Sequence, residues 1–247
     1  RLGEAAGVYL RIAQDHPGTA LEEKALTRAY LAASQAPQAD SLRSGIRRTM
    51  RAAHPHSSYW QLLLEADCLA AWNARRFDEA LVLGSEALDR APDSRIALRM
   101  LSARPDDTPV WAIDSTLRLL SRTTDVYGLS LENAGVSDIS PLEGLPVRIL
   151  ALRHNRIADL SPLRGMPLRM LMVTSNPIAD LSPLRGMALV HLEASACDID
   201  NIGPLAGMPL TALALSDNRI SDISALAGMV LQEIHLDGNR IETLEPL

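Results

Sequence analysis

The sequence predicts an α + α/β fold class, in which N-terminal helical hairpins precede an α/β solenoid with one parallel strand per repeat. Three observations predict this arrangement. An apolar pattern recurs every 21 residues from Val126 onward, and helix-like spacing of apolar residues fills roughly the first hundred positions. Aromatic residues make up only 3% of a chain that is 47% hydrophobic, so the core is expected to be aliphatic, as in stacked repeats.

Residues 1–106 are expected to form the helical domain, because Ala, Leu, Arg and Glu abound and apolar residues are spaced by three and four. Pro17, Pro55 and Pro92 each follow a predicted helix. The segment 61–94 places small or apolar residues where two antiparallel helices approach closely. These residues are Leu64, Ala71, Phe77, Ala80, Ala87 and Pro92, with Cys68 in place of a glycine. The pattern resembles tetratricopeptide repeats, with generic amphipathic hairpins as the alternative.

Residues 107–125 are expected to form a linker and a helical cap. The segment Arg-Pro-Asp-Asp-Thr-Pro marks the boundary with the helical domain. A short helix is predicted over 110–121, and its apolar side would be formed by Trp111, Leu117 and Leu120. Such a helix would cover the first strand of the solenoid, whose backbone groups and apolar edge would otherwise be open.

Residues 126–247 contain six units of 21 residues, the last of them incomplete. The units begin at Val126, Val147, Leu168, Leu189, Leu210 and Leu231. Within each unit the apolar positions are 1, 4, 6, 11, 14 and 17, and the register never slips. One such unit cannot bury its apolar edge alone, so neighbouring strands are expected to stack about 4.8 Å apart into a curved solenoid.

Position 9 of the repeat carries asparagine in four units, at Asn155, Asn176, Asn218 and Asn239. An asparagine amide both donates and accepts hydrogen bonds, so it can satisfy backbone groups at a buried corner. Ala134 and Cys197 interrupt this column. Ser-Pro-Leu and a glycine recur in the return segment, and they predict a tight turn in place of a full helix.

The repeat pattern LxxLxLxxNxI resembles the short leucine-rich repeats of bacterial internalin-like proteins. Its Asp-Leu-Ser-Pro-Leu-x-Gly-Met-Pro-Leu form is similar to the 21-residue repeats of planctomycete-type bacterial proteins. The segments 158–168 and 179–189 match that form nearly residue for residue, with Ala188 in place of proline. The resemblance implies a recognition array, which in such proteins sometimes follows a serine/threonine kinase domain.

Positions 3, 5 and 7 of each repeat are expected to face solvent on the concave side of the sheet. Three apolar side chains there form a spot that the core does not need, and three arginines are expected to surround it. Met-rich patches rimmed by arginine are typical of protein-binding surfaces, although small apolar patches are common on any protein. The candidate contact residues are Arg148, Ile149, Arg153, Arg169, Met170, Met172, His191 and Glu193.

The sequence contains none of the common nucleotide-binding, hydrolase, zinc or kinase motifs, so no catalytic residue or cofactor is predicted. His191 and Glu193 share repeat positions with His235 and Glu233, but two stacked repeats would separate the pairs by roughly 9–10 Å. Polar surface is therefore expected there, and no metal site. Cys197 is expected to be a buried structural residue of the asparagine column.

The charge distribution favours a protein partner over nucleic acid. Residues 1–106 carry 14 basic and 13 acidic side chains, whereas residues 107–247 carry 10 and 17. Clustered cations for phosphate neutralisation are not evident. Two distant cysteines suit a reducing compartment, which favours the cytoplasm, and no apolar run approaches the roughly 18–20 residues of a membrane span. A start at Arg1 and an end within a repeat suggest a piece of a longer protein.

These observations favour a non-catalytic bacterial scaffold, in which the concave face, and possibly the helical groove, binds a protein or peptide. Two alternatives stay open. One is the substrate-recruiting C-terminal region of a serine/threonine kinase, and the other is a secreted internalin-like adhesin. Kinase motifs or a signal peptide upstream of the chain would distinguish them.

Overall fold

The computed structural model describes residues 2–34, 40–91, 94–105, 107–122 and 127–245. Seven helices precede a sheet of six short parallel strands. The chain divides into two compact units, residues 1–91 and 92–247, so the sixth helix groups with the sheet, although the predicted helical domain extended to residue 106. Val126, where the first repeat was expected to begin, lies outside the described residues, as does Pro92.

The first unit consists of five helices. They are α1 (Leu2–Asp15), α2 (Ala20–Ser34), α3 (Asp40–Ala53), α4 (Trp60–Asn73) and α5 (Phe77–Arg90). Helices α1 and α2 pack as one pair and α4 and α5 as another, while α3 packs against α2. The apolar residues between α2, α3 and α4 form one core cluster, which includes Tyr30, Met50 and Leu63.

Small side chains allow α4 and α5 to pack closely, as the sequence pattern predicted. Ala71, Ala80 and Ala87 are completely buried. The thiol of Cys68 is buried as well and donates to the carbonyl of Ala80, with a sulfur–oxygen distance of 3.2 Å. No disulfide is formed, so both cysteines of the chain are free thiols.

A hydrogen bond between side chains links α2 to the end of α3. The Nε2 of His54 lies 3.1 Å from Oε2 of Glu22, and both side chains are nearly buried. The same carboxylate accepts a hydrogen bond from the backbone N–H of Gly18, which has a φ of +73° in the turn before α2. His54 is the first residue after α3, and its side chain packs against Glu22 of α2 and is largely shielded from solvent.

The second unit begins with α6 (Ile96–Ser102) and α7 (Val110–Leu120). Its strands are β1 (Gly128–Ser130), β2 (Ile149–Ala151), β3 (Met170–Met172), β4 (His191–Glu193), β5 (Ala212–Ala214) and β6 (Glu233–His235). Each strand pairs in parallel with the next one along the chain, in the order β1 to β6. Pairing joins residues 21 apart, as in Leu150 with Leu171, so the register follows the sequence period.

The middle residue of each strand faces the core, because side chains alternate across a strand. Leu129, Leu150, Leu171, Leu192 and Leu213 are almost completely buried there. Helices α6 and α7 cover the start of this core, contacting β1 and the first return turn respectively. Ile113, Leu117 and Leu120 join the core cluster, whereas Trp111, expected on the apolar side of this helix, is 48% exposed.

The asparagine column forms a ladder of buried hydrogen bonds. The Nδ2 group of Asn176 donates to the carbonyls of Leu152 and Val173 at 2.9 and 2.8 Å, and its Oδ1 accepts from the N–H of Ile157 at 3.0 Å. Asn155 repeats the same pattern one unit earlier. Each asparagine therefore joins its own corner to the previous repeat, which satisfies backbone groups that would otherwise be buried without partners.

Short 3₁₀ turns return the chain after each of the first five strands, at 140–142, 161–163, 182–184, 203–205 and 224–226. The glycine two residues after each turn has a φ between +69° and +73°, a conformation that disfavours residues with a Cβ atom. The return is therefore too short for a full helix, as the sequence predicted. Among the described residues no helix is both long and apolar enough to cross a membrane.

Candidate binding face

One face of the sheet does not contribute to the core, and we refer to it as the open face. It is formed by the first and third residues of each strand and by the side chain two positions after each strand. These are the positions that the sequence placed on the concave side. All eight predicted contact residues lie on this face or at its edge, on β2, β3, β4 and the residues beside them.

The apolar side chains of the open face are partly covered. Ile149, Met170 and Met172 are each partly buried, and Ala151 is only 6% exposed. Register places Ile149 beside Met170 and Ala151 beside Met172. The expected apolar spot therefore exists as a contiguous patch, but its members cover one another and no member is fully exposed.

Arg153 lies against this patch at Met172. Its Nη2 group is 2.9 Å from the sulfur of Met172. The Nη1 group donates to Glu132 at 2.5 Å, while Nε and Nη2 both donate to Oε2 of Glu193 at 3.0 and 2.6 Å. Arg153 follows β2, and its guanidinium contacts Glu132, which follows β1, and Glu193 on β4. The contact with Glu193 crosses β3.

Glu193 is held in its ionised form by two neighbours. Burial opposes ionisation, but the hydrogen bonds from Arg153 and from His191 outweigh burial and hold the pKa of Glu193 below its usual value. The Nε2 of His191 lies 2.8 Å from Oε1 of Glu193. The pKa of Arg153 is raised chiefly by its hydrogen bonds to Glu193, so the pair stays charged throughout the neutral range.

The other two predicted arginines lie at the edge of the face. Arg148 and Arg169 are exposed, and Nη1 of Arg169 donates to the carbonyl of Ala188 at 3.1 Å. Of the three arginines expected around the patch, these two can contact an incoming partner without breaking an ion pair of the open face. Arg153 instead holds the face in one arrangement.

Glu132 was not singled out from the sequence, yet it completes the charged network. It occupies the seventh repeat position one unit before Arg153, so opposite charges are neighbours in one column. Inspection of the sequence could have detected this pair. Residues at the same position of adjacent repeats have backbones about 4.8 Å apart, so opposite charges there are close enough to interact.

A second pair of polar residues lies further along the face. The Nε2 of His235 is 2.9 Å from Oε1 of Glu233, so each histidine pairs with the glutamate of its own strand. Between the two pairs, Ala212 and Ala214 line a depression of about 210 Å³. In the portion of the chain that the structure describes, no three His, Cys, Asp or Glu side chains converge as a metal site would require.

Cys197 occupies the asparagine column as the sequence indicated, and it is partly buried. Its sulfur lies 3.6 Å from the carbonyl oxygen of Val173 and 3.5 Å from that of Ser195. Burial raises the pKa of this thiol, so it remains protonated and acts as a weak donor. This environment does not favour a reactive thiolate.

The geometry provides a face for non-covalent contacts, with a partly covered apolar patch, an ionic network and two exposed arginines at the edge. No protein-family model matches this chain, and a comparison with curated proteins finds no match either.

Proposed function

We propose that this chain is a non-catalytic interaction protein that binds a protein or peptide partner on the open face. The observation that carries the proposal is the patch of Ile149, Met170 and Met172 on a side of the sheet that faces away from the core. Apolar side chains at these positions do not stabilise the solenoid core, and methionine adapts to partners of varied shape.

The arrangement around the patch suits recognition of a protein. Interfaces combine a desolvated apolar centre with polar groups held in defined positions. Glu132, Arg153 and Glu193 hold one another in place, so a partner would meet a preorganised face with little loss of side-chain entropy. Arg148 and Arg169 would then contact carboxylates or carbonyl groups at the periphery of that partner.

We further propose that the 21-residue units are leucine-rich repeats and that the N-terminal hairpins are tetratricopeptide-like. The constant pairing offset of 21 residues supports the first proposal, and the small buried residues between α4 and α5 support the second. The proposed location is the cytoplasm, where the free thiols of Cys68 and Cys197 would stay reduced.

The test is affinity capture from a bacterial lysate with the intact chain and an Ile149→Gln, Met170→Gln variant. Glutamine removes the apolar character without adding a charge that would compete for Arg153. The matched control is Val82→Gln, Val230→Gln, which changes two apolar residues that are 68% and 80% exposed elsewhere. Circular dichroism and thermal unfolding first establish that all three chains fold.

The proposal expects a protein, identified by mass spectrometry, that the intact chain and the control retain and the open-face variant loses. Its dissociation constant, measured with the purified partner, should rise about tenfold or more in the variant, as when buried interface side chains are removed. Equal retention by all three chains would show that the open face is not the binding site.

A further inference from the structure

Several arginines line a groove in the first unit, and none of them belongs to the open face. We define the basic groove by Arg47, Arg48 and Arg51 of α3, Trp60 of α4 and Arg90 of α5. The groove has a volume of about 500 Å³. It can hold a short peptide segment and lies entirely within residues 1–91.

The arginines share one face of α3 because their positions follow helical spacing. The opposite face of this helix buries Ile46 and Met50 in the core. All three arginines line the groove, and Arg48 also borders a second depression beside Leu42 and Ile46. Helix α3 is amphipathic, with its charged face lining the groove.

Two of the groove arginines are already engaged within the unit. Nη1 of Arg47 lies 2.8 Å from Oδ2 of Asp67, and Nη2 of Arg90 lies 3.5 Å from Oε1 of Glu86. Arg48 and Arg51 are exposed, and neither has a carboxylate partner in the described parts of the chain. The groove therefore offers two cationic groups that an anionic ligand can neutralise.

Two core side chains, Trp60 and Leu64, also line the groove. Trp60 is 9% exposed and Leu64 is 5% exposed, so each presents a small apolar area to a ligand. The indole Nε1 of Trp60 donates to the carbonyl of His54 at 3.1 Å, which fixes the orientation of the ring. A ligand that contacts both Arg48 and Trp60 would combine negative charge with an apolar group.

We propose that the basic groove binds an acidic peptide segment, in which carboxylates pair with Arg48 and Arg51 and one bulky apolar side chain packs against Trp60. Guanidinium groups match the planar geometry of carboxylates and form paired hydrogen bonds with them. A nucleic acid is disfavoured, because binding its backbone requires a row of cations, and the whole chain has a net charge of -6.

The experiment selects peptides from a random heptapeptide display library on the full-length chain. Parallel selections use an Arg48→Gln, Arg51→Gln variant and an Arg11→Gln, Arg28→Gln variant. The second variant removes the same charge from exposed positions of α1 and α2, outside the groove. Selected peptides are then synthesised, labelled and titrated against all three chains, beside a labelled twelve-residue oligothymidylate.

The expected result is enrichment of Asp and Glu together with one bulky apolar residue. The affinity of such peptides should fall at least tenfold in the groove variant and less than twofold in the control, and Trp60→Leu should also weaken binding. Selection without acidic enrichment, equal affinity for both variants, or tighter binding of the oligothymidylate through Arg48 and Arg51 would each overturn the proposal. Because no open-face residue is changed, these outcomes are separate from those of the capture experiment.

Discussion

The side chain of Arg153 donates two hydrogen bonds to a single carboxylate oxygen of Glu193, 40 residues further along the chain. Arg153 follows β2 and Glu193 lies on β4, so the interaction crosses the whole width of β3. The arginine covers the sulfur of Met172 on the way. A polar network thus lies over part of the apolar patch and limits how much of it a partner can contact before the network moves.

The first prediction concerns the acid sensitivity of this ion pair. The substitution Arg153→Gln removes the hydrogen bonds from Arg153 that lower the pKa of Glu193. The pKa of Glu193 should then rise toward or above its usual value of 4.5. A depressed carboxyl pKa stabilises the folded state above the unfolded-state pKa, and this contribution is lost as pH falls through the folded-state pKa.

The wild-type chain should therefore lose more stability than Arg153→Gln as the pH falls below about 4.5. At neutral pH the variant should be less stable by about 1 kcal/mol, because both side chains are about a quarter exposed and solvent weakens the pair. Urea unfolding at several pH values measures both effects. Arg156→Gln, a change at an exposed arginine of the same repeat, is the control and should follow the wild-type curve.

The second prediction concerns the asparagine ladder. Asn176→Ala leaves the N–H of Ile157 without its side-chain partner in a buried corner, and it removes the amide donor from the carbonyls of Leu152 and Val173. The free energy of unfolding should fall by about 2–3 kcal/mol, since unsatisfied buried groups retain their desolvation cost. Chemical denaturation measures this loss.

Asn239 provides the comparison, because it makes the same kinds of hydrogen bond in a more exposed corner. Water can replace the lost partners there, so Asn239→Ala should cost about 1 kcal/mol or less. Equal losses at Asn176 and Asn239 would mean that the amides stabilise the chain by some means other than satisfying buried backbone groups.

The sheet could be predicted from the sequence because the residues of its strands recur at a constant spacing. A spacing of 21 residues determines which leucines pair, and the pairing of Leu150 with Leu171 follows directly. The contact between Arg153 and Glu193 could not be anticipated, because 40 is not a multiple of the period and the contact depends on the rotamer of a long side chain. Periodicity specifies backbone register but not the path of a flexible side chain across it.

The helical half illustrates the same limit. Helix-like spacing predicted helices, and the small residues predicted the close pair α4 and α5. The spacing between Pro17 and Pro55 did not match a tetratricopeptide repeat, and nothing periodic indicated where α3 would pack. The sequence therefore did not single out Arg48 and Arg51, and the basic groove became apparent only from the placement of α3 beside residues of α4 and α5.

The third prediction concerns the position where cysteine interrupts the ladder. The thiol of Cys197 is a weak donor with long contacts to Val173 and Ser195, whereas an amide would donate more strongly and also accept. Cys197→Asn should raise the free energy of unfolding by about 1 kcal/mol. Cys197→Ala should lower it, since alanine removes the sulfur contacts with the carbonyls of Val173 and Ser195. A rise with alanine but not with asparagine would mean that apolar packing decides stability at this corner.

The fourth prediction concerns the carboxylates before the return turns. Oδ1 of Asp159 accepts a hydrogen bond from the N–H of Ser161 at 2.8 Å, and Oδ2 accepts from its hydroxyl at 2.6 Å. Asp180 binds Ser182 in the same way. The hydrogen bond from the serine side chain lowers the pKa of each carboxyl group most, and the backbone hydrogen bond lowers it further. Both pKa values are therefore below the usual 3.8.

A lowered carboxyl pKa makes the ionised form stabilising above the unfolded-state pKa, and protonation removes that contribution as pH falls through the folded-state value. Asp159→Asn, Asp180→Asn should therefore flatten the decline of stability below pH 3.8. The variant should keep the turn, because Oδ1 of Asn201 accepts from Gly203 N–H at 2.8 Å at the equivalent site of the fourth repeat.

The control for the fourth prediction is Asp200→Asn, Asp237→Asn, which makes the same change in charge at exposed positions outside the turns. Urea unfolding between about pH 2 and pH 5 should give this control the wild-type slope, because it keeps the hydrogen bonds of Asp159 and Asp180 with Ser161 and Ser182. If both double variants flatten the curve equally, general charge repulsion governs the acid response. If only the turn variant does, the hydrogen bonds at Ser161 and Ser182 couple the return turns to ionisation.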